Sequence, residues 1–197
     1  MDNSEKEFSP QDSIALIRSM IETTKHSISD SSHYFLLWGW TTMIACVIQY
    51  VLLVIVKYEH HYYAWFLTFV AAIIHIIFGI KDSKKSTVKT FISEANESVW
   101  MAIGFAFMAL AFVFAKIGYQ YCFPIYILIY GLGTFISGRL IKFKPLVYGG
   151  AACFLLVTIT PFLNYSLQIL MAALAILVSY IIPGHLLRAH YRKNKTV

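Results

Sequence analysis

Long apolar segments alternate with short polar ones along most of this chain. After a mixed N-terminal stretch, six windows contain no Asp, Glu, Lys or Arg and are long enough to cross a bilayer. A helix of about 20 apolar residues spans the roughly 30 Å hydrocarbon core. The pattern predicts an all-α, polytopic membrane protein with six transmembrane helices, at about Tyr34–Val56, Tyr62–Ile80, Val99–Ala115, Tyr121–Gly138, Pro145–Leu163 and Tyr165–Leu187.

The stretch before the first window has the pattern of an amphipathic helix. Ser9 and Pro10 fit the N-cap and first helical position, and Asp12 completes an acidic variant of the capping box. Apolar residues then recur at helical spacing on one face, at Ile14, Ile17, Ile21 and Ile28. A second stretch of this kind, from Val88 to Val99, is predicted to continue as a helix into the third span.

The charge distribution predicts how the chain is threaded. Hydrophobic residues make up 58% of the chain and charged residues only 13%, and 16 residues are Lys or Arg. All of these except Lys57 and Lys116 fall in the N-terminal stretch, the C-terminal tail or alternate loops, which favours a cytoplasmic location for both termini. We therefore expect a cytoplasmic leader (1–33), a membrane bundle (34–187) and a basic cytoplasmic tail (188–197), with no nucleic-acid partner.

Few residues suit catalysis or metal binding. No acidic residue lies inside a predicted span, and no Asp or Glu follows Glu97. The three cysteines occupy different spans without metal-ligand spacing, and Glu59-His60-His61 is interpreted as part of an aromatic belt. These absences disfavour membrane proteases and carboxylate-based ion coupling. The sequence predicts a protein that is not an enzyme and needs no metal or cofactor.

A small set of polar residues could form a ligand site. His75 is the ionisable side chain inside a span, and it either binds a ligand or hydrogen-bonds to a neighbouring helix. Polar side chains in the outer half of the bundle either converge on one pocket or make separate interhelical hydrogen bonds. The candidate ligand-binding residues are Gln49, His75, Thr158, Asn164 and Gln168, with Thr160 near them.

The segment SSHYFLLWGW places two tryptophans near the cytoplasmic end of the first span. Trp38 and Trp40 are two residues apart, so their side chains point about 200° from one another. We expect one of them to anchor the helix at the headgroup level while the other packs inward. Gly39 between them leaves room for a neighbouring helix.

Small residues predict close helix packing in the second half of the chain. Gly133 and Ser137 form a small-xxx-small pair, and Gly149 and Gly150 lie in the next span. Such surfaces pack either within one chain or between two copies of it.

The leader from Asp12 to Lys25 followed by Phe35-Leu-Leu-Trp-Gly-Trp40 resembles a group of small, uncharacterised bacterial inner-membrane proteins. The resemblance covers the first forty or so residues. It implies a six-helix membrane fold, but it implies no activity and no site residues.

These observations favour a binding or regulatory module. In this hypothesis the bundle holds an apolar or lipid-like ligand, and the cytoplasmic helices contact a protein partner or a second copy. The alternative is a small transporter or exporter, which the six spans and the outer polar residues favour. A lipid-modifying enzyme ranks third, because no nucleophile is paired with a base or a metal.

Overall fold

The computed structural model describes Ile14 and residues 32–85 and 91–195. Every regular element among these residues is helical, and six helices are long and apolar enough to cross a membrane. The predicted all-helical fold with six candidate spans is confirmed, as expected of a multi-pass membrane protein. The predicted N-terminal leader lies outside the described residues except for Ile14, which is helical.

The six spans are built from seven α-helices and four shorter helical segments. In chain order these are α1 (Ser32–Tyr50), a π segment (Val51–Ile55), a 3-10 segment (His61–Trp65), α2 (Phe66–Lys85), α3 (Phe91–Ile117), α4 (Cys122–Leu140), α5 (Lys144–Ile159), a 3-10 segment (Thr160–Phe162), α6 (Tyr165–Ile176), a π segment (Leu177–Ile181) and α7 (Ile182–Lys195). The last three elements form one continuous span, Tyr165–His190.

The helices extend beyond the charge-free windows. The charge-free window of the third span begins at Val99, and α3 begins at Phe91 and carries Glu94 and Glu97 in its first turns, as predicted for the amphipathic stretch that continues into this span. The last span was predicted to end at Leu187, but α7 continues to Lys195. Charges limit the depth at which a residue can sit in hydrocarbon, but they do not stop backbone hydrogen bonding, so the helices run on past them.

The two ends of the bundle differ in charge. One end, called here the basic end, carries Lys81, Lys84, Lys85, Arg139, Lys142, Lys144, Arg188, Arg192, Lys193 and Lys195. The other, called the short-loop end, has turns at residues 56–60, 118–121 and 163–164, and carries Lys57 and Lys116 among the described residues.

The turn between α4 and α5 at the basic end is closed by backbone hydrogen bonds. The N–H of Phe143 donates to the carbonyl of Gly138 at 2.9 Å, and the N–H of Lys142 donates to that of Arg139 at 3.3 Å. This is the Schellman pattern, with Lys142 at the left-handed position that glycine usually takes (φ 57°). The short turn places α5 directly beside α4.

Glycines bring α4, α5 and the last span into backbone contact. A Cβ atom added at Gly150 would lie 2.6 Å from the backbone nitrogen of Phe135, and one at Gly138 would lie 2.6 Å from that of Val147. A Cβ at Gly149 would lie 2.8 Å from the Cα of Ser179 in the last span. These small residues therefore pack within one chain, the first of the two arrangements that the sequence left open.

Helices α2 and α3 lie at the periphery of the bundle. Buried residues make up 11% and 6% of the most apolar windows in the second and third spans, against 44% in the fourth and 56% in the sixth. The core lies among α1, α4, α5 and the last span, where Leu146, Cys153 and Ile169 are fully buried. The outward faces of α2 and α3 carry large exposed apolar side chains such as Phe69 and Phe105.

Candidate functional site

Gln49 organises a buried polar cluster at the short-loop end. The indole N–H of Trp65 donates to its Oε1 at 2.7 Å, and its Nε2 donates to the hydroxyl of Tyr165 at 3.3 Å. The Nδ1 atom of His61 lies 3.2 Å from the same Nε2. This Gln49 cluster (Gln49, His61, Trp65 and Tyr165) joins α1, the segment before α2, and α6. Each of its members already has a partner, so the cluster acts first as an interhelical connection.

The other predicted polar residues do not join this cluster. Gln168 is buried and donates from Nε2 to the carbonyl of Leu163 at 2.9 Å, while its Oε1 has no direct hydrogen-bond partner among the described residues. Thr160 donates to the carbonyl of Leu156 in its own helix at 2.6 Å. Asn164 is exposed and precedes α6 without a side-chain cap.

Thr158 was one of the residues that could line an outer pocket or bond separately, and the structure places it on the surface of the bundle. Its hydroxyl donates to the carbonyl of Leu155 at 2.7 Å, and the residue is exposed. A threonine in a helix can satisfy its own hydroxyl in this way without any partner on another helix. The five candidate residues therefore do not converge on one cavity.

Sequence reasoning missed three members of the Gln49 cluster. His61 was assigned to the aromatic belt, and neither Trp65 nor Tyr165 was predicted as a partner of Gln49. Both His61 and Tyr165 begin helical segments at the same end of the bundle as Gln49. Their common depth with Gln49 was the one signal in the sequence that could have grouped these residues. Which helix faces meet, however, is determined by how the helices pack.

His75 is held by a tryptophan on the neighbouring helix. The indole N–H of Trp38 donates to its Nδ1 at 3.0 Å, and the ring of Tyr34 lies 4.6 Å from the His75 ring. Indole N–H is a donor only, so Nδ1 must accept and the imidazole proton lies on Nε2. Of the two interpretations of His75, the structure shows the hydrogen bond to a neighbouring helix.

A second polar contact joins α1 and α2 near the basic end. The hydroxyl of Tyr34 donates to Oδ2 of Asp82 at 2.7 Å, and Nε2 of His33 lies 3.4 Å from the same oxygen. Together with the Trp38–His75 bond, this contact fixes α2 against α1 through side chains rather than through backbone approach.

The two tryptophans of α1 face different surroundings. Trp38 is half-buried against α2, whereas Trp40 is 47% exposed. A Cβ at Gly39 would lie 3.0 Å from the Cβ of Tyr180, so the glycine allows the last span to approach α1 as expected. The ring of Trp40 contacts that of His185 at 6.5 Å in a T-shaped arrangement.

An open groove of about 400 Å³ lies between α1 and α2. Its walls are mostly apolar, and the polar groups are confined to His33, Thr41 and Arg188. The groove, called here the α1–α2 groove, is lined by His33, Leu36, Leu37, Trp40, Thr41, Ile44, Leu67, Val70, Ala71, Ile74 and Arg188. The sequence did not predict it, because no single helix carries its pattern.

A second, smaller depression of about 300 Å³ lies on the surface of α7 at the basic end. It is lined by His185, Arg188, Ala189 and Arg192, which are exposed on one face of α7, and it is called here the Arg188 pocket. Arg188 also lines the groove. The apolar groove is thus bordered at Arg188 by a basic face of α7.

Catalytic and metal-binding groups are sparse in the part of the chain that the structure describes. No group of three or more His, Cys, Asp or Glu side chains is placed to hold a metal ion among those residues. Cys46, Cys122 and Cys153 are free, buried thiols in separate helices.

Comparisons of this chain with protein-family models, with curated proteins and with solved structures found no match. The resemblance of the leader and FLLWGW segment to small bacterial inner-membrane proteins therefore stays a prediction.

Proposed function

We propose that this protein is a non-enzymatic binding module of the bacterial inner membrane that holds a lipid-like molecule in the α1–α2 groove. The observation that carries the proposal is the groove itself. Apolar side chains line it over most of its length, and it is open on one side. Such a surface offers an acyl chain a more complete set of contacts than the convex faces of neighbouring helices do.

The proposal places the basic end in the cytoplasm. Lys and Arg are concentrated at that end of the described chain, and such residues are retained on the cytoplasmic side of membrane proteins. Both termini then lie in the cytoplasm. A reporter that works only in the cytoplasm should therefore be active when it is fused to the C-terminus. Activity of a C-terminal reporter that works only in the periplasm would contradict this orientation.

A regulatory role follows from where the groove lies in the chain. One of its walls is α1, which begins at Ser32, at the end of the predicted cytoplasmic leader. A ligand that shifts α1 against α2 would also shift the end of the leader that joins α1. We propose that the leader contacts a cytoplasmic protein partner or a second copy of this chain, and that groove occupancy changes this contact.

Non-enzymatic action is proposed from the surroundings of the intramembrane histidine and of the cysteines. His75 accepts a hydrogen bond from Trp38, and the three cysteines are buried. A nucleophile or general base must reach its substrate with a free lone pair.

Filling the groove tests the proposal. Val70 lines it, whereas Ile73 on the same helix is exposed and does not. We expect Val70→Trp to lose most of the phospholipid that the purified protein retains in native mass spectrometry, because the indole would occupy the space of the acyl chain. The matched variant Ile73→Trp should retain lipid like the wild type. Equal retention by both variants would refute the proposal.

A small transporter is the second candidate function. Four hydroxyl-bearing residues, Thr42, Thr134, Ser179 and Tyr180, are buried inside the bundle. Buried polar groups of this kind can line a path for a solute or water. Transport would be favoured if the wild type carries a solute into proteoliposomes and Thr134→Val or Gln49→Leu does not. If the flux into wild-type proteoliposomes equals that into empty liposomes, transport of the tested solutes is excluded.

A further inference from the structure

We infer that the α1–α2 groove and the Arg188 pocket form one site for a phospholipid with an anionic headgroup. This inference rests on the proposed lipid-binding function and adds the charge of the ligand and its orientation. The acyl chain would lie in the groove, and the phosphate-bearing headgroup would lie in the pocket, against the guanidinium group of Arg188.

The first step is the adjacency of the two surfaces. Arg188 lines both of them, so its side chain borders a molecule in the groove and also belongs to the basic face of α7. The ring contact between Trp40 and His185 also joins a groove residue to a pocket residue. An apolar groove bordered by a basic helix face has the same polarity pattern as a phospholipid.

The second step is charge. The pocket is lined by two arginines and a histidine, and no Asp or Glu occurs in the chain after Glu97. Among the described residues Arg188 has no ion pair, and the one carboxylate that contacts a groove residue, Asp82, lies against His33 and Tyr34. Arginine binds phosphate oxygens in a bidentate manner, and basic residues near the membrane surface attract anionic headgroups.

The third step is depth. The last span extends to His190, so Arg188 lies in its final turn, at the level of the headgroups. From His33 to Ile44 the groove follows α1 for about 16 Å, at roughly 1.5 Å per residue. That length is about half of a hydrocarbon core of roughly 30 Å. The groove therefore matches a lipid from the leaflet at the basic end.

These dimensions favour a membrane phospholipid over a free phosphate compound. A free anion would occupy the pocket alone and would leave the apolar groove without an occupant. An uncharged lipid would fill the groove and leave the positive charge of Arg188 without a partner. A phospholipid of net negative charge satisfies both parts of the site.

This inference is tested by measuring the lipid selectivity of the full-length protein in detergent. The probes are phosphatidylglycerol and phosphatidylcholine with identical acyl chains, and the readout is native mass spectrometry. We expect the wild type to prefer phosphatidylglycerol. In Arg188→Gln this preference should fall by about fivefold, since one basic residue near the membrane surface contributes roughly that factor. Arg139→Gln is the matched control, because Arg139 is exposed at the same end and lines neither cavity. Arg188→Lys should retain part of the preference.

The possible failures of this test are distinguishable. If both lipids bind equally to the wild type and Val70→Trp removes both, lipid binding stands and the anionic headgroup is refuted. If Arg139→Gln lowers the preference as much as Arg188→Gln does, a diffuse charge effect replaces the site. If glycerol phosphate alone competes as well as the lipid, the ligand is a soluble anion.

Photo-crosslinking identifies the occupant directly. A photoreactive amino acid at position 70 of the full-length protein should form adducts with phosphatidylglycerol in vesicles that contain it. Adducts with this chain's own residues 1–31, or with a second copy of the chain, would show that protein covers the groove and would overturn the inference.

Discussion

Helices α4 and α2 attach to the bundle in different ways. Helix α4 meets α5 through backbone contacts at glycines, where an added Cβ would lie 2.6 to 2.8 Å from the nearest backbone atoms of Phe135. Helix α2 meets α1 through side-chain hydrogen bonds, such as Trp38 to His75 and Tyr34 to Asp82. Close packing leaves no space between α4 and α5. Longer side chains hold α2 farther from α1, and the groove lies between these two helices.

Contacts between lipid tails and apolar side chains are about as favourable as contacts between two helices, so membrane helices associate through packing and polar bonds. The two attachments illustrate these two routes within one chain. We expect them to respond differently to substitution, with the backbone contacts being the less tolerant.

The largest effect is expected where a glycine meets backbone. Gly150→Ala should lower the free energy of unfolding by about 1–3 kcal/mol, because neither the new methyl group nor the Phe135 backbone can move aside easily. Thermal unfolding in detergent, followed by circular dichroism, should show a fall of about 2–4 °C for each kcal/mol lost.

Gly104→Ala is the matched control for this prediction. No heavy atom lies within 4 Å of a Cβ at Gly104, and alanine is the better helix former. Its melting temperature should be unchanged or higher. Equal losses in the two variants would mean that helix backbone effects, rather than the contact between α4 and α5, determine the result.

An intermediate effect is expected from cutting the attachment of α2 at the short-loop end. Gln49→Leu removes the acceptor of Trp65 and the donor to Tyr165, and should destabilise the protein by about 1–2 kcal/mol. Amide hydrogen exchange should rise most in residues 61–66. Thr158→Val, which alters an exposed hydroxyl bonded to its own helix, should change stability by less than about 0.5 kcal/mol. A loss of stability in Thr158→Val as large as in Gln49→Leu would contradict this assignment.

The smallest effect is expected at the attachment of α3. The indole N–H of Trp100 donates to the hydroxyl of Ser137 at 3.0 Å, and that hydroxyl donates to Oδ1 of Asn96 at 2.6 Å. Ser137→Ala should cost about 1 kcal/mol and should speed amide exchange in α3 more than in α4. Ser98→Ala, whose hydroxyl bonds within α3, serves as the control. If exchange in α3 is unchanged, apolar packing alone holds this helix.

The sequence predicted the spans better than it predicted the site. Charge-free windows located all six spans because burial of charge in hydrocarbon is costly, and the smallness of Gly149 and Gly150 indicated close packing. The extension of α3 over Glu94 and Glu97 was also predicted, from the amphipathic stretch before its window, but the end of the last span was less accurate, since α7 continues past charged residues. Only the number and order of the spans follow from composition alone.

The candidate site depends on which helix faces meet, and this information is distributed over several helices. Gln49 was recognised from its depth, but its partners His61 and Trp65 come from a segment whose path is set by the turn after α1. The groove has the same origin, because it arises from the separation of α1 and α2. Neither helix shows it alone, and Arg188 joins it from more than a hundred residues farther along the chain.

The backbone contacts at Gly138, Gly149 and Gly150 have a consequence for the evolution of this fold. Any sequence that keeps this packing must keep very small residues at these three positions, whereas Gly79 and Gly104 have open space around them and are free to vary. Distant relatives should therefore retain a glycine before the tight turn after α4 and a glycine pair within α5, even where overall similarity has been lost. That spacing, rather than total identity, is the pattern by which such relatives can be recognised.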